Sequence, residues 1–141
     1  MAKSHGKATV FKVDDSGASL VDLSTDCDNV DFPQEISTGE TTTFGATGSA
    51  RTFVTGLVGR TISISGKFDA AASHTDATLS GIVAQAATVT YEYGPTGSTA
   101  GMVKHTGECI LTSYNTSSPL DGVVSFQASF QITGANTRTT W

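Results

Sequence analysis

Charged residues are scarce in this 141-residue chain, and positive charge is the scarcest of all. Lys and Arg number 8 against 13 Asp and Glu, the net charge is −5, and only 15% of the residues are charged. Soluble domains usually carry roughly 25% charged residues, so this surface must be polar but largely neutral. A protein that grips nucleic acid by neutralising phosphates needs clustered basic residues. The composition therefore disfavours a nucleic-acid clamp.

The chain also has few cysteines and no long apolar run. Cys27 and Cys109 are too few for a disulfide scaffold, and we expect both to be reduced and packed as small apolar residues. No apolar stretch reaches the roughly 18 residues of a membrane span, and the segment Met1 to Gly6 lacks the apolar core of a secretory signal. We therefore expect a protein made in the cytoplasm, without a membrane partner.

Signatures of catalysis and of metal or phosphate binding are missing as well. His5, His74 and His105 lack zinc-ligand spacing, and neither a nucleophile elbow nor a phosphate-binding glycine loop occurs. An acidic run extends from Asp22 to Glu35, but a calcium loop counted from Asp26 would need glycine and glutamate where Asp31 and Ser37 stand. We predict surface histidines, a solvated acidic edge, and no catalytic residue, metal ligand or cofactor.

Strand patterns dominate what is present. From Gly122 to Ile132, apolar residues alternate with Ser125, Gln127, Ser129 and Gln131. A period of two with this separation predicts a sheet that has one face on a core and the other in water. The segment Arg60 to Phe68 repeats the pattern. Further strands are predicted at 7–13, 18–23, 29–34, 51–58, 87–93 and 103–114, each rich in Thr, Val, Ile or aromatic residues.

One segment has a helical period instead. Between Asp76 and Ala87 the apolar residues Leu79, Ile82, Val83 and Ala86 follow the spacing of an amphipathic helix. The sequence therefore predicts a mainly β fold with one short α-helix. The length favours one domain over residues 1–141.

Two segments have no obvious place in a single domain. Residues 38–49 are polar, rich in glycine and long for a loop, and loops of this kind are usually functional or disordered. The end of the chain, residues 134–141, carries the only tryptophan, Trp141. A residue with so much apolar surface either frays into water or docks on something.

The segment Arg51 to Asp69 resembles the signature strand pair of phage major tail proteins, the tube subunits of long noncontractile tails. In that family an aromatic residue is followed by a Gly-Leu turn and a strand rich in Ser. The matching residues here are Phe53, Gly56, Leu57, Thr61, Ser63, Ser65, Gly66, Phe68 and Asp69. The helix near Leu79, the strand ending at Tyr93 and the closing strand that begins at Asp121 follow in the same order.

The resemblance implies a β-sandwich or half-barrel of the tail tube kind, with one flanking helix. It further implies that six copies form a ring with a continuous inner barrel, and that stacked rings make a tube in the virion, assembled in the host cytoplasm. The tape measure protein and the tail terminator and baseplate proteins are the implied partners. Residues 1–6, 38–49 and 134–141 would be arms or loops that reach neighbouring subunits, with contacts at Thr42, Phe44, Arg138 and Trp141.

A tube for DNA must not hold the phosphates, so its wall should be hydrophilic and neutral or negative. The polar face formed by Ser125, Gln127, Ser129 and Gln131 meets that demand, and we predict that it lines the lumen. DNA would then pass without specific binding.

Two alternatives stay open from the residues. One is another ring-forming component, such as a terminator, baseplate or neck ring, or the tube of a contractile injection machine. The other is a monomeric β-sandwich module that binds carbohydrate or a cell surface. The first alternative predicts single rings, and the second predicts a monomer with an exposed aromatic patch.

Overall fold

A computed structural model describes residues 3–141. After a single 3-10 turn at Gly6–Ala8, the described chain forms eight strands and one α-helix. Their bounds are β1 Val10–Asp14, β2 Leu20–Asp22, β3 Cys27–Asp31, β4 Gln34–Glu40, β5 Phe53–Lys67, α1 Thr75–Ile82, β6 Val89–Gly94, β7 Val103–Ser117 and β8 Ser125–Thr140. The prediction of a mainly β fold with one helix is confirmed.

The strands form one antiparallel sheet in the order β2-β1-β6-β7-β8-β5-β3, with β4 paired only to β5. This sheet curls into a half-barrel. Phe32, which follows the edge strand β3, packs on Tyr93 of β6 with ring centroids 5.7 Å apart, although three strands separate β3 from β6 in the sheet. The core therefore lies inside the curl, where Phe11 and Phe130 pack against each other at 5.9 Å.

The alternation predicted for the closing strand is present. Phe126, Ala128, Phe130 and Ile132 are buried, while the residues between them are exposed or half-buried. In β5, Ile62 and Ile64 are buried in the same way. These two strands form the centre of the core because their apolar faces point to the same side of the sheet.

The two strands predicted at 51–58 and 60–68 are one strand of 15 residues, so the expected Gly-Leu turn is absent. Gly56 lies instead beside an irregularity in the pairing of β4 with β5, where an added Cβ would press on the hydroxyl of Ser37. Glycine there allows close approach of two strands and does not form a turn. The strand predicted at 29–34 is also wrong, because the chain leaves β3 at Asp31 and begins β4 at Gln34.

The helix is shorter than predicted. It ends at Ile82, because Val83 is already extended and Ala84 has a φ of +61°. Leu79 and Ile82 are buried as the periodicity required, but Val83 is exposed. Within residues 3–141, no helix is long and apolar enough to cross a membrane.

The expectation of a C-terminal arm is wrong. Gly134 has a φ of +76° and, with Ala135, interrupts the pairing of β8 with β7, which then resumes between Asn136 and Gly107 and continues to Thr140. Trp141 closes the strand, since its N–H donates to the carbonyl of Met102 over 3.0 Å. Removal of the last five residues would therefore disrupt the sheet of the subunit itself.

The other two predicted arms have different outcomes. Residues 1 and 2 of the proposed N-terminal arm lie outside the described residues, and residues 3–6 are exposed. The segment 38–49 is not simply a loop, because its first three residues belong to β4. The hairpin continues past the strand ends, where Thr41 donates its N–H to the carbonyl of Thr52 over 2.8 Å.

Candidate assembly surfaces

The outer surface of four neighbouring strands, β3, β5, β8 and β7, forms a continuous polar face. Cross-strand pairs define its rows. One row contains Asp31, Ser63, Ser129 and Ser113; the next contains Asn29, Ser65, Gln127 and Asn115; a third contains Lys67, Ser125 and Ser117. Hydroxyl and amide groups dominate this face, which we call the polar face from here on.

The polar face carries little net charge. Lys67 lies 3.6 Å from Asp28, and both side chains are more than half exposed. An exposed pair of this kind contributes little to stability, but it neutralises the one cation on these rows. Asp31 leaves the face slightly negative.

Both sides of the polar face end in strand edges that have no partner among the described residues. β3 pairs only with β5. β7 pairs with β6 only from His105 to Cys109, so that its residues 110–117 have β8 on one side and no described strand on the other. Unpaired N–H and C=O groups along an edge favour pairing with another strand.

The half of β5 that precedes Arg60 leaves the sheet and forms a hairpin with β4. Every residue of β4, and of β5 from Phe53 to Gly59, is exposed. Several are large and apolar: Leu57 is 88% exposed, Ile36 60% and Phe53 58%. A monomer seldom exposes so many apolar side chains on one element, so this hairpin is a candidate contact surface.

Hydrogen bonds fix the fork where this hairpin departs from the sheet. Arg60 donates from Nε to Gln34 Oε1 over 2.8 Å, and Gln131 donates from Nε2 to the carbonyl of Arg60 over 3.0 Å. A cavity of about 270 Å³ opens at the fork, lined by Pro33, Glu35, Gly59, Arg60, Thr61 and Gln131. We call this cavity the fork notch.

The residues predicted to contact other subunits are spread over two regions. Phe44 lies fully exposed near the tip of the hairpin, whereas Thr42 accepts a hydrogen bond at Oγ1 from the N–H of Thr52. Arg138 is exposed on β8. Trp141 is half-buried against its own subunit, with the ammonium groups of Lys12 and Lys104 at 4.9 and 4.7 Å from its ring.

A cluster of Asp26, Asp69 and His74 brings three potential metal-ligating atoms within 4.8 Å of one another. Asp26 is buried, and it already accepts hydrogen bonds from the N–H of Thr75 at 3.1 Å, from Thr75 Oγ1 at 2.6 Å and from His74. Its carboxylate therefore caps the N-terminus of α1 from a distant loop. This arrangement anchors the helix to the sheet.

The electrostatics of this cluster follow from those contacts. Burial raises the pKa of Asp26, but the hydrogen bonds from Thr75 and His74 outweigh it and leave the pKa lowered. The hydrogen bond to Asp26 raises the pKa of His74, which burial only partly offsets. His74 is thus not the free surface histidine that the sequence predicted. Spacing alone gave no signal, because Asp26 and His74 are far apart in the chain.

The two cysteines are poor nucleophiles. Burial, followed by nearby carboxylates, raises the pKa of both Cys27 and Cys109 to about 12. A thiol with so high a pKa holds almost no thiolate at neutral pH. Both are free in the structure, as expected.

Chains in several solved structures have the same architecture. The tail of an empty gene transfer agent particle, with C6 symmetry, contains a chain that is 20% identical, has a TM-score of 0.81, and matches over 98% of this chain and 100% of that one. The SPP1 tail tube matches at a TM-score of 0.72 and 14% identity, over 99% of this chain and 80% of that one. A chain of the anti-feeding prophage baseplate matches at a TM-score of 0.67 and 9% identity, over 99% of this chain and 96% of that one. No curated protein sequence matches the chain.

These likenesses show a shared fold, and the family assignment rests on the sequence. The model of the family described as phage tail tube protein matches residues 3–138, which is nearly the whole chain. The expected resemblance is thereby confirmed. The chain belongs to the phage tail tube protein family and is a structural component of the virion tail.

Proposed function

We propose that this protein closes into rings of six through the two free edges of the polar face, and that the rings stack into a tube through which DNA passes. The observation that carries the proposal is the pair of unpaired edges, β3 on one side and residues 110–117 of β7 on the other. In a lone subunit such edges are a liability, and a head-to-tail contact between identical copies removes it.

Strand direction supports this contact. Each neighbouring pair among β3, β5, β8 and β7 is antiparallel, so β3 and β7 run in opposite directions. The β7 edge of one copy, placed beside β3 of the next, would extend the sheet without breaking its antiparallel order. A ring made in this way has one continuous inner wall.

The polar face supplies that wall in our proposal, with Ser125, Gln127 and Ser129 facing the lumen. Gln131, in the next row beside Thr61 and Ile110, continues the wall. Ser63 Oγ lies 3.5 Å from Ser129 Oγ, and Gln131 is bound to the carbonyl of Arg60, so the polar groups of the wall are partly engaged with each other. A near-neutral wall of hydroxyl and amide groups offers phosphates no strong cation. DNA would slide rather than bind.

Stacking of the rings would use the hairpin of β4 and β5. Its apolar side chains, with Phe44 near the tip, are exposed in the subunit and would become buried against copies in the next ring. Thr42, Arg138 and Trp141 are weaker candidates for such contacts, since Thr42 and Trp141 already have partners in their own subunit. The tube carries out no chemistry.

The tape measure protein inside the tube, and the terminator and baseplate proteins at its ends, are the further partners that we propose. A second candidate function is that of a baseplate ring rather than the tube itself. The likeness to a chain of the anti-feeding prophage baseplate supports it. A baseplate component would stop at one or two rings, whereas a tube subunit would polymerise without limit.

Negative-stain electron microscopy of the purified chain, combined with cysteine cross-linking, tests the proposal. Asp31→Cys on β3 is combined in turn with Ser113→Cys, Asn115→Cys or Ser117→Cys on β7, because the stagger between copies decides which of the three faces position 31. We expect long tubes, and for at least one pair a non-reducing gel ladder that ends at six subunits.

The matched control combines Asp31→Cys with Ser98→Cys, an exposed site in the β6–β7 connection outside the polar face. It should give no ladder. A chain that stays monomeric at high concentration would overturn the proposed function. Tubes without any β3–β7 cross-link would overturn the ring contact, and single rings would favour the baseplate alternative.

A further inference from the structure

The two ends of the polar face differ: one carries an exposed turn and the other a cavity. β5 and β8 run along each other from the pair Lys67 and Ser125 to the pair Thr61 and Gln131. The fork notch lies at the second end, beside the base of the hairpin. The connection between β7 and β8, residues 118–124, lies at the first end.

That connection carries an exposed apolar side chain, Leu120, which we call the plug. Leu120, in the turn itself, is 98% exposed, and Val123 is 67% exposed. The turn is tightly folded, because a side chain at Gly122 would lie 2.9 Å from Pro119 Cγ. Phe68 also donates its N–H to the carbonyl of Val124 over 3.0 Å. A leucine held out on a constrained turn loses little conformational freedom when it docks.

The fork notch presents the complementary socket. Pro33 gives the notch one apolar wall and Gly59, which has no side chain, leaves room, while the other lining residues are polar: Glu35, Arg60, Thr61 and Gln131. Ile36 and Val58, the neighbours of Glu35 and Gly59 in the chain, are exposed and add apolar surface to the base of the hairpin. Arg60 takes part in no ion pair among the described residues, and neither does Asp121, which follows Leu120. Glu35 lines the notch as well, so the positive charge lies on the Arg60 side only.

We propose that Leu120 of one subunit inserts into the fork notch of a subunit in the adjacent ring, with Asp121 directed to Arg60. Because plug and socket lie at opposite ends of the same strands, one subunit cannot fill its own notch. The contact is head-to-tail and open-ended, which is what unlimited stacking requires. This inference rests on the proposed stacking of rings.

The test is a disulfide between Leu120→Cys and Gly59→Cys. Gly59 tolerates the change, since a Cβ there would have no heavy atom within 4 Å. The two positions on one chain are separated by about 26 Å of strand, at 3.3 Å for each of eight residues, so any disulfide must join different subunits. The native thiols, with pKa values of about 12, stay slow under mild oxidation.

We expect tubes of the double variant to give a ladder of oligomers without an upper limit on a non-reducing gel. The control pair, Gly59→Cys with Ser98→Cys, should give none. Tubes of the double variant that yield no disulfide would overturn the plug and socket while leaving the proposed function intact. A chain that forms no tubes even as wild type would overturn the proposed function instead.

A second measurement uses Leu120→Ser, with Val83→Ser as the matched control, because Val83 is an exposed aliphatic residue at 52% that lies in neither feature. We expect Leu120→Ser to raise the concentration needed for tube formation at least tenfold, with rings still forming and the thermal unfolding midpoint unchanged. Val83→Ser should assemble as wild type. Equal effects of the two variants would overturn the proposal.

Discussion

The two halves of β5 experience opposite environments although they form one strand. From Thr61 to Gly66 every second residue is buried, and the strand is paired on both sides with β3 and β8. From Phe53 to Gly59 every residue is exposed, and β4 is the only partner. Both halves are rich in apolar side chains. Apolar character therefore serves the fold of the subunit in one half and, in our proposal, contact between subunits in the other.

The largest expected effect concerns the C-terminal segment, which the sequence predicted to be an arm that reaches neighbouring subunits. Deletion of residues 137–141 removes the pairs that β8 makes with Val103 to Thr106, together with the packing of Trp141 between two lysines. Loss of a fully buried large aromatic residue costs about 3–5 kcal/mol. The half-buried Trp141 contributes part of that amount, in addition to the four lost strand pairs, against a typical stability of about 5–15 kcal/mol. We expect the truncated chain to show no cooperative unfolding transition in urea.

A deletion in the hairpin serves as the control for that truncation. Deletion of Gly45 to Gly48, in the exposed connection between β4 and β5, removes four residues that lie outside the strands and the core. It should leave the urea midpoint of the subunit unchanged. If the protein without residues 137–141 unfolded at the wild-type urea midpoint, the C-terminal segment would be a free arm after all.

The next effect in size compares the two halves of β5 directly. Ile64→Ala opens a cavity in the core and should lower the free energy of unfolding by about 2–5 kcal/mol. Val58→Ala, in the exposed half, should change it by less than about 0.5 kcal/mol. Urea denaturation of both variants measures the difference. Equal losses would show that the hairpin belongs to the cooperative core after all.

The periodic parts of the fold could be predicted from the sequence, because alternation over Gly122 to Ile132 and the helical spacing around Leu79 reflect burial on one side of one element. The hairpin could not be separated from the sheet in this way, since Val54 and Val58 favour a strand whether or not anything covers them. Its exposure depends on where β8 diverges, at Gln131, and that is a property of pairing between distant segments.

The C-terminal strand and the helix anchor were missed for related reasons. The segment from Thr133 to Thr140 has almost no apolar residue, so no alternation marks it as a strand, and Gly134 suggested an end to the structure rather than a bulge within it. The neighbours of Asp26 in the chain give no sign of its role in the fold. Its partners, His74 and Thr75, come from another element that only the folded chain brings close.

The smallest expected effect concerns the contact of Asp26 with His74 and Thr75, which anchors α1 to the sheet. Its contribution to the stability of the subunit should depend on pH. His74 has a raised pKa, so its contribution to stability is full below about 6.5 and is lost as the pH rises through its folded value. Asp26 has a lowered pKa, so its contribution is present above 3.8 and is lost as the pH falls through its folded value. The Asp26–His74 contact therefore stabilises the subunit most between about pH 3.8 and 6.5, where both side chains are charged.

His105 opposes this trend, because burial first, and then Arg138 and Arg60, lower its pKa and make its protonation unfavourable to folding below about 6.5. We therefore compare the free energies of unfolding of wild type and His74→Asn, measured in urea from pH 5.5 to 9. His105 is present in both proteins, so its contribution cancels in the difference. We expect the difference to shrink as the pH rises. In an Asp26→Asn background its pH dependence should become smaller, because the main hydrogen-bonded partner of the imidazole is no longer charged; the remainder reports Asp69, whose carboxylate lies 3.4 Å from His74 Nδ1 and also raises the pKa of His74. A wild-type difference that stays constant over the whole range would mean that the Asp26–His74 contact does not hold the helix in solution.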